Sequence, residues 1–183
     1  MKGGTGMMAA MDLFTNMPEL FPLIRGGGAF LAAIGLGIVI GSLRGPKWRV
    51  VWLLVGFYLG IAVMAAGGIT KLIFAGLPYP AIWQWVVLGL AFAVEAVLVN
   101  VVLRRVKDRS SREFWLWILF IVGVHFLVLG PSHGPICALL ALLCMGNALI
   151  GLRLKTVDFR VFWAIDGVLK LGAGVSMVAV SYS

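Results

Sequence analysis

Four ionisable side chains, Glu95, His125, Asp166 and Lys170, stand inside long apolar runs. An ionisable group near the centre of a bilayer costs about 2.5–3.5 kcal/mol on insertion scales, so such residues face a protein interior or a wet cavity and mark candidate solute or proton paths. Asp166 and Lys170 are spaced i, i+4 within FRVFWAIDGVLK, residues 159–170, which places opposite charges one helical turn apart and predicts a neutral pair. The plainer reading of that pair is a fastener between one helix and its neighbours. Glu95 has no partner in its own run. A cluster of Glu95, Lys170 and Asp166 would carry one excess acid, the composition of a proton-sensitive gate or a cation-attracting constriction. Counted from the basic end of each run at 1.5 Å per residue, Glu95 lies ~12 Å deep, Asp166 ~10 Å, Lys170 ~16 Å and His125 ~17 Å. Glu95, Asp166 and Lys170 are therefore expected in one layer. Asn100, one more polar residue in the run that holds Glu95, is expected as an interhelical hydrogen-bond partner beside the path.

A second set, His133, Cys137 and Cys144, falls at i, i+4 and i+11 on nearly one helix face. Soft ligands of that kind suit Cu(I) or Zn(II). A free cysteine also packs as a small apolar residue, and the run has no second dense ligand cluster to complete a site. Seven residues span ~10 Å of helix, too far for a disulfide between the two cysteines. His125 and His133 flank one turn, a poor arrangement for haem. No cofactor is implied, and the chain has no Ser/His/acid set of recognisable spacing, no HExxH and no phosphate loop, so it does not read as an enzyme.

The elements that must position these residues follow from composition. Of 183 residues 62% are hydrophobic and 12% charged, too few polar groups to cover a water-facing surface. The fold class is therefore all-α integral membrane, with six transmembrane helices. Residues 1–28 read as an external N-terminal segment, with 11–21 (MDLFTNMPELF) as a short interfacial turn capped by Asp12 or Thr15. Residues 29–183 read as a single six-helix domain. The spans are expected at about 27–43 (starting as early as 23), 48–67, 81–103, 114–129, from the 130–132 turn to 152, and 159–181. An irregular or re-entrant stretch is expected at 68–80, and the Gly130-Pro131-Ser132 turn should end the fourth span. Gly35, Gly37 and Gly41 are assigned to one side of the first span and Gly56 and Gly60 to the second, faces that would suit close helix approach or a homo-oligomer.

The net charge of +8 is a topology signal, because eleven of the fifteen Lys and Arg residues lie in or at the edge of the three loops joining odd to even spans. Those loops are expected in the cytoplasm, with both termini outside an inner (plasma) membrane, lipid as the surrounding partner and no nucleic acid bound. Each basic loop is preceded by Leu-Arg and followed by Arg, two residues, then Trp: Leu43-Arg44 with Arg49 and Trp52, Leu103-Arg104 with Arg112 and Trp115, Leu152-Arg153 with Arg160 and Trp163. A recurring unit of this kind implies three tandem helical hairpins, pseudo-threefold about the membrane normal. An aromatic belt beside any basic loop also writes Arg and Trp at a span start, so both explanations stand.

Leu54-Val55-Gly56, Gly89-Leu90 with Asn100, residues 115–120 (WLWILF) and residues 159–169 (FRVFWAIDGVL) together resemble the bacterial six-span urea and amide channel family. The resemblance implies six spans as three hairpins, with the family's final-helix acid at Asp166. The Asn-Gly expected in the first helix, paired tryptophans in the fifth span and the Thr-Ala-Trp-Ile-Pro run after the final acid are missing, so substrate identity does not follow. The function expected is a channel or transporter for a small polar solute. The alternatives are a non-transporting accessory subunit and a metal or haem carrier.

Overall fold

A computed structural model of the chain describes residues 16–65 and 67–182. Among them are a one-turn helix α1 (Met17–Leu20), the long helices α2 (Ile24–Arg44) and α3 (Pro46–Ala65), a short α4 (Gly67–Phe74), and the long helices α5 (Ile82–Arg105), α6 (Arg112–His133), α7 (Pro135–Arg153) and α8 (Phe159–Val180). Six of these are long and apolar enough to cross a membrane, which makes this a helical membrane protein. Asp12 and Thr15, expected as caps, lie outside the described residues.

Local chemistry accounts for the helix ends. Ser111 caps α6 by accepting from the Phe114 N–H at 3.2 Å, and Asp158 caps α8 by accepting from the Arg160 N–H at 2.8 Å. The first span takes the earlier of its expected starts, at Ile24, so Arg25 lies inside its first turn. Two boundaries differ from the sequence expectation. The stretch after the second span starts with eight residues of helix, and only 75–81 is irregular. Pro131 does not end the fourth span. It sits in the last turn of α6, where the Gly134 N–H still reaches the Gly130 carbonyl at 2.8 Å, and the chain turns instead at Gly134, whose φ of 92° favours glycine.

The long helices neighbour one another in the order α3, α2, α8, α7, α6, α5, an arc whose two ends, α3 and α5, share no extensive packing. Only 11% of the apolar window of α3 and 6% of that of α5 is buried, against 33–44% in the other four spans.

The tightest seams are built on glycine. A Cβ on Gly35 would overlap the Leu171 and Gly167 backbones of α8, and one on Gly37 would overlap Trp52 and Gly56 of α3. Residues two apart on a helix point nearly opposite ways, about 200° at 100° per residue, so Gly35 and Gly37 serve two different neighbours and not the one side expected. Gly41 meets Arg49 and Trp52, Gly56 meets Ala33 and Ile34, and Gly60 meets the Phe30 ring. These faces are consumed within the chain, so any homo-oligomer must use other surfaces.

Gly35→Ala is therefore expected to lower stability by about 1–3 kcal/mol through overpacking. Gly89→Ala, where a Cβ meets nothing within 4 Å, should instead gain about 0.5–1 kcal/mol of helix propensity. Opposite shifts in the thermal midpoint of the detergent-solubilised protein check both at once, and a shared sign would contradict the packing.

Candidate functional site

The curl of the arc brings α3 and α5 to face each other across a cleft of about 330 Å³. Its walls are mostly apolar, with Phe57 from α3, Phe92 from α5 and Phe126 from α6. Glu95, His125, Asp166 and Lys170 line the same cleft, from three separate helices. A second cavity of about 260 Å³ shares Phe30, Leu31, Phe57, Phe92, His125 and Phe126 with the first and reaches His133 and Cys137. The two form one elongated groove running toward the end of the molecule opposite the basic loops.

The four ionisable groups form two pairs. Asp166 and Lys170 meet through Oδ2 and Nζ, with side chains 0% and 2% exposed. Lys170 Nζ also lies 3.9 Å from Cys144 Sγ and 5.5 Å from the centre of the Phe126 ring. Asp166 Oδ1 has no hydrogen-bond partner among the described residues, and neither has the buried Trp163 Nε1 one turn earlier.

Glu95 does not share Lys170. Its Oε2 lies 2.9 Å from His125 Nδ1, in the charge-pairing range but off the line of a hydrogen bond. The His125 ring is held edge-on by Phe92 and Phe126, with centroids 5.0 and 5.6 Å away, so the pair is fixed by aromatic packing. The Glu95 side chain is 28% exposed, which makes it the more accessible group and the Asp166–Lys170 pair the more enclosed one.

The remaining sequence candidates do not join them. Asn100 is exposed and accepts from Arg104 Nε at 3.0 Å within its own helix, so it makes no interhelical bond of the expected kind. The ring of His133 is tied to Ser132 Oγ at 2.8 Å, Cys137 Sγ points to the Phe126 carbonyl at 3.5 Å, and Cys144 sits beside Lys170. Among the described residues no group of three His, Cys, Asp or Glu converges, so the i, i+4, i+11 face does not become a metal site.

At the basic-loop end a third cavity, about 750 Å³, is flanked by Lys47, Arg49, Arg109 and Arg112 over a floor that includes Phe159 and Trp163. Trp163 lines both this vestibule and the cleft and therefore partitions them.

Two of the arginines in the Arg-x-x-Trp pattern have a structural duty that sequence reasoning missed. Arg112 Nη2 donates to the Gly151 and Leu154 carbonyls at 2.7 Å, and its Nη1 to the Val157 carbonyl, clamping the end of α7. Arg160 donates from Nε and Nη2 to the Ser42 carbonyl at 3.3 Å, clamping the end of α2. Gly151 and Ser42 each immediately precede a Leu-Arg pair, the one signal in the chain that marks the acceptors. Arg49, the third of the pattern, donates no hydrogen bond among the described residues, and its Nε is buried without a partner.

No curated protein and no solved structure matches the chain. A family profile does match over residues 16–183, and on that extent the chain belongs to DUF6609, a family of unknown function.

Proposed function

We propose that this protein is a channel or transporter that moves a small polar solute along the groove between α3 and α5, with Trp163 as the barrier on the basic-loop side. The observation that carries the reading is the convergence of Glu95, His125, Asp166 and Lys170, from three helices, on one cleft. Ionisable groups in an apolar span are costly, and placement along a path is the common reason they persist. The basic loops face the cytoplasm of an inner membrane and both termini lie outside, by the excess of Lys and Arg. The equivalent duties of Arg112 and Arg160 support three hairpins of common origin, related by a pseudo-threefold axis along the membrane normal.

The urea and amide channel resemblance makes urea and acetamide the first solutes to test, by stopped-flow shrinkage of proteoliposomes against empty vesicles. Glu95→Gln keeps the side-chain shape and removes the charge facing His125. It is expected to change the flux about tenfold, the rate equivalent of about 1.4 kcal/mol. No flux of urea, acetamide or glycerol above empty vesicles, or flux untouched by Glu95→Gln, would sink the proposal.

A second reading is a non-transporting membrane subunit, and the exposure of α3 and α5 favours it. Such a subunit would co-purify with a partner from native membranes whether or not Glu95 is replaced.

A further inference from the structure

Position by position, the Leu-Arg and Arg-x-x-Trp pattern predicts an acceptor for Arg49. Arg160 bonds the carbonyl just before Leu43-Arg44, and Arg112 bonds the carbonyl just before Leu152-Arg153. The corresponding acceptor for Arg49 is the Val102 carbonyl, just before Leu103-Arg104. That bond is absent among the described residues, and the Val102 carbonyl accepts instead from the Val106 N–H at 2.8 Å. The missing clamp falls at the one place where the arc of spans is open, between α3 and α5.

Other cations gather at the same place. Lys47, in the first turn of α3, and Arg109, in the loop before α6, line the vestibule with Arg49 and make no hydrogen bond among the described residues. No acid lines the cavity. Two acids of the adjoining loops are engaged elsewhere, and Glu113, next to Arg112, lines a different cavity. Asp108 accepts from the Ser110 N–H and hydroxyl, which holds its carboxyl below the usual carboxylate range, and Asp158, within electrostatic reach of Arg49, caps α8. Below the cations the wall turns apolar, through Val50, Trp115 and Phe159. Three cations that make no hydrogen bond among the described residues, with Arg49 over the Phe159 ring at 5.1 Å, stand above an apolar gap at the basic-loop end and match a phosphate oxyanion with a hydrocarbon tail.

We propose that the vestibule between α3 and α6 binds the phosphate of an anionic phospholipid, with Arg49, Lys47 and Arg109 holding the headgroup and an acyl chain lying in the open seam between α3 and α5. The lipid supplies the oxygen acceptor that Arg112 and Arg160 find in a carbonyl, and it completes the ring of spans where the protein leaves it open. The headgroup cations line a different cavity from the proposed solute path, and the two share only Trp163 and the α3–α5 seam, so the lipid site can be tested without any flux measurement.

The test uses the full chain in phosphatidylcholine mixed micelles, with thermal unfolding followed by tryptophan fluorescence as phosphatidylglycerol is titrated in. The wild-type midpoint should rise with phosphatidylglycerol and stay flat with added phosphatidylcholine. Each surface cation contributes about a fivefold factor in affinity for an anionic leaflet. Arg49→Gln should weaken the apparent affinity about fivefold, and Arg49→Gln with Lys47→Gln about thirtyfold. Lys107→Gln, in the same loop as Arg109 but not lining the cavity, should leave it unchanged. Arg49→Lys keeps the charge without the planar fork and should fall between.

A midpoint that rises equally with both lipids, or Gln variants that respond like wild type, would overturn the site. The same shift from millimolar inorganic phosphate would overturn the lipid as occupant in favour of a soluble oxyanion.

Discussion

Asp166→Ala is expected to destabilise the protein by about 3–5 kcal/mol, while the double replacement Asp166→Leu with Lys170→Met should fold with stability close to wild type. The asymmetry follows from burial. Lys170 is 2% exposed, and its other neighbours are the Cys144 sulfur and the face of Phe126, neither of which can replace a carboxylate. Removing Asp166 alone strands an ammonium in an apolar wall, whereas removing both charges leaves well-packed apolar volume. Glu95 cannot take over, because it is paired with His125. Glu95→Gln, at a side chain 28% exposed, should cost under about 1 kcal/mol. Unfolding in graded SDS or by heat, for the two single variants and the double, checks the ordering. The double variant also separates structure from function. If it folds and still passes solute at the wild-type rate, the Asp166–Lys170 pair is a fastener only and the path runs through Glu95 and His125. A cost under about 1 kcal/mol for Asp166→Ala would mean that the pair is far wetter than its burial implies.

The contrast between these pairs shows what a sequence can encode. Asp166 and Lys170 are readable because helical periodicity alone brings i and i+4 together. Glu95 and His125 are thirty residues apart on different helices, and their meeting depends on how α5 leans on α6, which no spacing rule carries. The six spans are legible because bilayer thickness demands about twenty apolar residues in a row. Their ends are less so, since Pro131 signals a break, yet α6 runs on through it to His133 and the chain turns at Gly134. The same distinction governs the arginines. In sequence, Arg49, Arg112 and Arg160 read as topology markers, because the positive-inside tendency explains a basic loop without reference to any acceptor. The hydrogen bonds that Arg112 and Arg160 make to carbonyls at helix ends, and the lack of one at Arg49 among the described residues, become visible only once the helices are placed.

Arg25 is the residue for which a topology reading is least adequate, and Arg25→Gln is expected to cost about 3 kcal/mol or more, centred on the end of the molecule opposite the basic loops. The guanidinium is 5% exposed and has no acid partner among the described residues. Nε donates to Ser181 Oγ at 2.9 Å and Nη2 to the Ser181 carbonyl at 2.6 Å. Nη1 spans the Ala75, Ile73 and Leu72 carbonyls at 2.8, 3.2 and 3.5 Å, and Tyr182 lies flat beneath the cation at 3.8 Å. The acceptors are the ends of α4 and α8, where unsatisfied carbonyls carry the negative end of each helix dipole, so two helix termini stand in for a carboxylate. Each hydrogen bond from a charged donor contributes about 1.5–3 kcal/mol, and glutamine can replace at most two of them. Arg25→Lys keeps the charge but not the planar fork that reaches both termini, so it should recover only part of the loss. Hydrogen exchange on the solubilised protein distinguishes a clamp from a general stabiliser. In Arg25→Gln, protection should fall first at residues 72–75 and 178–182, while α6 and α7 stay protected. A uniform loss across all six spans would mean that Arg25 supports the whole bundle and not this junction.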